Sequence, residues 1–345
     1  MTDVAMPAQD ISYAQRYEDI HLLRAFGEQA GGCYIDIGAG HPVYDNVSFA
    51  FYLRGWRGIT VEPNPWLAQL SEAVRPHDTL IQSLVGEKPG EATYYLVDDF
   101  HGLSTTVERH AHMARSEFGK ASTPMTMPVT TLRTLCERHA PPVIDFLKID
   151  VEGAERAVLL GNDWRRFRPR MVLAEALEPV TMAPAWEPWE PLLTGNGYRF
   201  AYFDNLNRYY VADECAGLAD RLAASPASLD RMTKFSGFKP AQNDPAHPDH
   251  GLACLLAGLD MVRLPLMSFD TLAGRLLGGL DPAGPAQPSD IAAAHQRLFG
   301  TPDPAGWAES LGLAANATVL DLYRGAAASD AFRAACGRIS ASSAW

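Results

Sequence analysis

The residues able to do chemistry stand at the ends of short apolar runs. CYIDIG (33–38) leads into D-I-G-A-G, where Gly38 and Gly40 let the backbone approach a ligand closely and Asp36 projects at the start of the turn. Glu62 closes the next such run, GITVEP, 22 residues past Gly40. A carboxylate there can accept hydrogen bonds from both hydroxyls of a ribose. In VIDFLKID (143–150) the period of two puts Lys148 and Asp150 on one face, so a cation and a carboxylate reach the same edge. Glu152 and Glu155 follow at once, at the entry to a helix whose dipole also favours carboxylates, and Glu155 reads best as merely complementing that dipole. Glu175, in MVLAEAL, ends one more run. Asp150, flanked by Glu152 and Glu175, is the first candidate for a general base or a metal ligand. His101, in the loop VDDFHGLST, is the second candidate base, because imidazole titrates near neutral pH, although a lone loop histidine is also an ordinary solvated residue.

These residues need a sheet to carry them. Strands are expected at 33–38, 58–63, 79–86, 143–150, 170–177, 198–204 and 208–213, with an inserted pair at 91–97 and 125–132. Helices are expected at 47–55, stopped by Gly55, and at 132–140 and 153–161. Another begins with Asn64 as cap and Pro65 in its first turn, with Trp66, Leu70 and Val74 on one face and Pro76 beyond its end. Alternating strands and helices, closed by two strands in quick succession, describe a mostly parallel, doubly wound α/β sheet with an antiparallel final strand. In such a sheet ligands bind at the carboxyl ends of the strands, which is where the candidates lie.

The chain has 345 residues, too many for one average domain, with a formal charge of −12 and 47% apolar residues. An acidic surface repels a phosphate backbone, so nucleic acid is a poor partner. WRRFRPR (164–170) could hold an anionic ligand or could simply be a solvated link between elements. Five cysteines, odd in number and without a CxxC, read as reduced structural thiols, and with no basic start or apolar h-region the chain is expected to be cytoplasmic. The longest apolar run, LACLLAGL (252–259), is too short to span a bilayer. Near residue 240 the composition turns to Ala, Leu, Gly and Pro with no strand signal, which predicts a first domain over 1–240 and a helical one over 241–345.

A dinucleotide site would need G-x-G-x-x-G, but Val43 stands where the third glycine belongs, so a nucleoside ligand without a pyrophosphate, such as S-adenosylmethionine, fits better. DFLKIDVEGAE (145–155) resembles the signature of the FkbM family of S-adenosylmethionine-dependent methyltransferases. Three further segments match that family in order: Ser12, Gln15, Glu18 and Asp19 as S-x-x-Q-x-x-E-D, YIDIGAGHPVYDNVS (34–48) and GWRGITVEPNP (55–65). GLST (102–105) and GYRFAYFDNLNRYYV (197–211) are similar to a branch found in bacterial glycan assembly. The resemblance covers residues 11–240.

It implies a Rossmann-like class I sheet and methyl transfer to oxygen, often of a sugar or polyketide. Asp36, Gly38 and Gly40 would line the methionine part of the cofactor and Glu62 the ribose, with Asn64 beside it. Gln15, Glu18 and Asp19 would close over it, and Ser83 would lie near the adenine unless it is only a polar strand terminus. Lys148, Asp150, Glu152, Glu175 and His101 form the catalytic set, with or without Mg2+. A sugar or glycan acceptor would meet His41, Tyr44, Asn205, Asn207 and Tyr209, though DNLN is also ordinary turn chemistry, and Trp186 and Trp189 read as helix core.

The last hundred residues are similar to a small helical module of surface-glycan and secreted proteins, on Asp303, Pro304, Gly306, Ser329 and Phe332. Its helices would bury Ile291, Leu298, Phe299, Leu320, Leu322 and Phe332 and leave a surface for self-association or for docking a partner. A contrasting reading makes the whole chain a non-catalytic scaffold that recruits partners. The intact pair of cofactor carboxylates speaks against it.

Overall fold

The computed structural model describes residues 11–27, 29–97, 101–178, 181–222, 229–301, 306–314 and 316–344. Two compact units divide the chain, the first over Ser12–Glu72 and Pro76–Met232, the second from Thr233 onward together with Ile11 and Ala73–Arg75. The first unit runs α1 (Glu18–Phe26), β1 (Cys33–Ile37), α2 (Phe49–Tyr52), β2 (Arg57–Val61), α3 (Pro65–Val74), β3 (Thr79–Ile81), β4 (Leu84–Val85) and β5 (Gly90–Leu96). It continues through α4 (Glu108–Phe118), β6 (Thr123–Thr130), α5 (Leu132–His139), β7 (Phe146–Ile149), α6 (Glu155–Leu160), β8 (Met171–Glu175), α7 (Glu190–Thr194), β9 (Tyr198–Phe203) and β10 (Asn207–Ala212).

Seven strands form one sheet in the order β9-β10-β8-β7-β1-β2-β3. All neighbours from β8 to β3 pair in parallel, and β10 runs antiparallel to both β8 and β9. This is the expected Rossmann-like α/β sheet, with chain reversal at β7/β1 providing the switch point. Both faces are apolar, as parallel sheets require. Ile35, Ile59, Leu147, Val172 and Tyr210 pack with Leu135, Val158 and Leu193 on one side. On the other, Tyr34, Phe146, Leu173 and Tyr209 pack with Leu22, Phe26 and Phe51.

One expected strand divides. Residues 79–86 give β3 to the main sheet and β4 to a separate sheet of order β4-β6-β5, in which β5 and β6 form the inserted antiparallel pair. Asn64 caps α3 as expected, its Oδ1 accepting from Trp66 N at 2.9 Å. Leu67, rather than Trp66, joins Leu70 and Val74 in the core, while Trp66 stays half-buried.

The second unit is helical. Its principal helices are α8 (His250–Leu255), α9 (Phe269–Leu277), α10 (Pro288–Phe299), α11 (Val319–Ala328) and α12 (Asp330–Ser343). Leu252, Leu272, Leu298, Leu322, Phe332 and Ile339 make its core, with Ile291, Phe299 and Leu320 packed partly buried against it. The S-x-x-F spacing has a physical meaning here: Ser329 Oγ caps α12 by accepting from Phe332 N, and Phe332 is fully buried. Asp303 and Pro304 of the same resemblance lie outside the described residues. Among the described residues no helix is long and apolar enough to cross a membrane.

The turn after β1 is where the fold meets the site. Gly38 has φ 73, and a Cβ there would lie 1.7 Å from Asp150 O. Gly55, at φ 84, has nothing within 4 Å of the same position. Gly38→Ala should therefore destabilise the protein by well over the ~1 kcal/mol expected of Gly55→Ala, where backbone strain acts alone. Urea denaturation of the two variants compares them directly.

Candidate active site

A row of polar side chains crosses one face of the sheet at the carboxyl ends of its strands. Asp36 is in register with Lys148, and Glu175 with Asn207. Asp36 shares the side of Tyr34, Lys148 and Asp150 that of Phe146, Glu175 that of Leu173, and Asn207 that of Tyr209, so the row continues the apolar face beneath α1. Lys148 binds the row together. Its Nζ donates to Gly38 O at 2.6 Å and lies 3.4 Å from Asp36 Oδ1 and 3.3 Å from Asp150 Oδ2. Burial works against its charge, but Asp150 and Asp36 outweigh it and hold the ammonium above its ordinary pKa.

Asp36 is fully buried. Ser48 Oγ donates to its Oδ2 at 2.6 Å, and its Oδ1, ion-paired with Lys148, has no hydrogen-bond partner. Asn46 ties the glycine turn to α2, donating to Ala39 O and His41 O while its Oδ1 accepts from Phe49 N. Glu62 accepts from Gly40 N and Asn64 N, each at 2.8 Å, so Asn64 both caps α3 and holds Glu62. Burial pushes the Glu62 carboxyl up to about 7 even though these two amides pull it down. Each of its oxygens keeps a lone pair for a ligand.

Asp150, Glu152 and Glu175 converge, with one oxygen of each within 4.8 Å of the others. Burial, then the neighbouring Asp150, raises both Glu152 and Glu175 well above the usual carboxylate range. All three are partly exposed, the Asp150 side chain by 38%. Glu155 caps the turn, its Oε1 accepting from Val151 N and Gly153 N.

A second buried cluster adjoins the row. Glu18 accepts from Arg16 N at 2.5 Å and Asn207 Nδ2 at 2.9 Å, and Asp204 accepts from Tyr209 OH at 2.8 Å. Asp19 accepts from Ser12 Oγ, Tyr13 N and Ile20 N, so it fastens the N-terminal segment. Asn207 and Tyr209 thus face inward: Tyr209 is fully buried with its hydroxyl spent on Asp204, and the expectation that it offers its ring to an acceptor is corrected. Asn205 is exposed at the hairpin tip with φ 75, the conformation of its turn. Gln15 is exposed just ahead of α1.

His41 Nδ1 accepts from Val43 N and Tyr44 N, which places the ring proton on Nε2, and Tyr44 stands half-buried beside it. Ser83 is drawn into the small sheet, its hydroxyl 2.8 Å from Leu84 O and 2.9 Å from Pro128 O, so it serves that junction. His101 opens a single 3-10 turn (His101–Leu103), and its side chain lies outside the described residues. The arginine run is a structural link. Arg166 pairs with Glu137, Arg168 with Glu214 and Arg170 with Asp145. Trp189 is buried in the core and Trp186 packs partly buried against it, as expected.

A model of the methyltransferase FkbM domain matches residues 36–200. The chain carries a methyltransferase FkbM domain. No curated protein and no solved structure matches the chain. Within the FkbM domain stand Asp36, Gly38, Gly40, Glu62, Lys148, Asp150, Glu152 and Glu175, whereas Gln15, Glu18, Asn205, Asn207 and Tyr209 fall outside the match.

The sequence reading assigned no role to Asn46, Ser48, Tyr94, Thr105, His110 or Asp204. Asn46 and Ser48 lay inside the quoted D-N-V-S and Thr105 inside G-L-S-T, so the signal was present as motif without mechanism. Tyr94 comes from β5, and burial, with Glu62 and Glu152 adding to it, raises its phenol far above the ordinary value. Nothing local marks it.

The buried acids make stability depend on pH. Burial, with Asp204 adding to it, raises Glu18 from 4.5 to about 8, and burial alone leads for Asp19, raised from 3.8 to about 6. The folded state therefore binds more protons than the unfolded chain, and stability falls as pH rises from about 4.5 to 8. Glu18→Gln, neutral throughout, should flatten that fall between pH 6 and 8. Thermal melting at a series of pH values measures it.

Proposed function

We propose that the FkbM domain transfers the methyl group of S-adenosylmethionine to the hydroxyl oxygen of a sugar carried by a glycan, nucleotide sugar or lipid-linked saccharide, in surface-polysaccharide or secondary-metabolite biosynthesis. The observation that carries the reading is the polar row itself, where one ammonium, Lys148, stands among the carboxylates of Asp36, Glu62, Asp150, Glu152 and Glu175. That excess of carboxyl groups over ammonium suits a cationic sulfonium, whose charge would in turn favour their ionised forms, and the cofactor would supply an activated methyl group for in-line transfer to the attacking oxygen. The residues fit such a ligand. Asp36 Oδ1 is a buried acceptor without a hydrogen-bond partner, Glu62 keeps lone pairs for a ribose, and Gly38 and Gly40, at φ 73 and 63, supply the left-handed turn that sets the two carboxylates beside one another.

A sugar hydroxyl is a weak nucleophile and must lose its proton as the carbon–oxygen bond forms. Asp150 is placed to take it, open to solvent on one side and steadied by Lys148 on the other. Glu175, whose carboxyl is held well above the usual carboxylate range by burial and then by Asp150, stands beside it. The sugar rests on the similarity of 102–105 and 197–211 to the glycan-assembly branch, with His41, Tyr44 and Asn205 as the candidates for acceptor recognition. Five free cysteines fit a reducing, cytoplasmic setting.

The spacing of Asp150, Glu152 and Glu175 favours one variant of this reading. Three carboxylate oxygens within 4.8 Å are a hard donor set of the kind that takes Mg2+, which would then lower the pKa of the acceptor hydroxyl.

Isothermal titration should show heat with S-adenosylmethionine or its demethylated product, and absence of heat with both would refute the cofactor. Glu62→Ala should weaken that binding by about tenfold or more. Asp150→Asn should lower methyl transfer to a panel of nucleotide sugars and lipid-linked glycans about a hundredfold with little change in binding. EDTA leaves the rate intact if Asp150 acts as base alone and abolishes it if the three acids hold a metal.

A further inference from the structure

We propose that Thr105 and His110, both from the segment inserted between β5 and β6, are positioning residues that hold Glu152 in the acidic rim, so that the insertion completes the site. The inference rests on the reading of Asp150, Glu152 and Glu175 as the groups that handle the acceptor proton.

Glu152 is a non-glycine residue in the left-handed region, at φ 53, a strained conformation that persists only where its surroundings enforce it. The enforcing contacts converge on its carbonyl. Thr105 Oγ1 donates to Glu152 O at 2.9 Å, and His110 Nδ1 lies 3.0 Å from the same oxygen. A carbonyl can only accept, so the ring proton sits on Nδ1. His110 Nε2 is then a buried lone pair without a hydrogen-bond partner, a polar atom left unsatisfied to keep this tautomer. The ring also packs on the next residue: a Cβ at Gly153, φ 101, would come within 2.6 Å of His110 Cε1.

Neither donor is set by the main sheet. Thr105 exchanges both backbone hydrogen bonds with Tyr95 of β5, at 2.8 and 3.2 Å, and its Oγ1 accepts from Val107 N. His110 lies in the first turn of α4, next to Arg109, which pairs with Glu178 at 2.6 Å beyond β8. From the other side Glu155 Oε1 accepts from Val151 N and Gly153 N. The turn is thus gripped by its own helix below and by the insertion above, with the Glu152 side chain directed among Asp150, Glu155, Glu175 and Lys148.

The test uses two substitution pairs. His110→Leu and Thr105→Val remove a donor at nearly constant volume, while His110→Asn and Thr105→Ser keep one. Each donor-free variant should lower kcat for methyl transfer about tenfold, the effect of one buried hydrogen bond, with KM and affinity for S-adenosylmethionine unchanged, and the conservative variants should restore most of it. Two spectra read the wild type without any ligand: the 15N signals of the His110 ring should show the proton on Nδ1, and the 13C shifts of Glu152 should show a left-handed backbone that His110→Leu abolishes. A ring protonated on Nε2, left-handed Glu152 shifts that survive both donor-free variants, or a parallel loss of cofactor affinity would overturn the proposal. Because the spectra need neither cofactor nor acceptor, they decide the positioning even where methyl transfer itself is not found.

Discussion

The contacts of one buried ammonium group tie the glycine turn to the acidic edge of the sheet. Lys148 Nζ reaches Gly38 O, Asp36 and Asp150 together, which joins the first strand to the neighbouring one across the switch point of the sheet. Burying a charge is unfavourable unless it is paired, and removing one partner of such a pair typically costs 3–5 kcal/mol because the other is left uncompensated. Asp36, its side chain out of water, is met there by this ammonium and by the Ser48 hydroxyl. Gly38 is equally constrained, since the closeness of Asp150 O that lets Lys148 bridge the two turns excludes a side chain there. Electrostatics and backbone sterics therefore fix the same few atoms, and both put carboxylates where an activated, positively charged donor would lie.

Much of this was legible in the sequence because its carriers obey short periodicities. Alternation in VIDFLKID placed Lys148 and Asp150 on one face, and the structure adds that Asp36, Glu175 and Asn207 share it. The cap at Asn64, the stop at Gly161 and the parallel order with its antiparallel last strand likewise follow from local chemistry and from the handedness of crossovers. What could not be read was whatever depends on a partner far along the chain. Tyr209 and Asn207 looked like a ligand surface because aromatic and amide groups in a hairpin can be one. Glu18 and Asp204, one of them 189 residues away, turn them inward. Thr105 and His110 were silent for the same reason: the carbonyl they hold belongs to a turn more than 40 residues on.

The second unit stands apart from this chemistry. Its core is complete within itself, and a buried Arg338–Asp249 pair with two contacts of 2.7 and 2.6 Å fastens its last helix to the segment before its first. Its recognisable spacing resolves into a helix cap and a core phenylalanine, which are folding features. The carboxylates that give the FkbM domain its character all lie in the other unit.

Where the cofactor lies is the most direct measurement of what these carboxylates do. A crystal structure of the protein with S-adenosylhomocysteine should place the ribose hydroxyls on the Glu62 carboxylate and the amino-acid end against Asp36 and the Gly38–Gly40 turn. A ligand seated instead at the opposite end of the strands, in the groove lined by Arg57, His77, His139 and Arg170, or touching neither carboxylate, would contradict it.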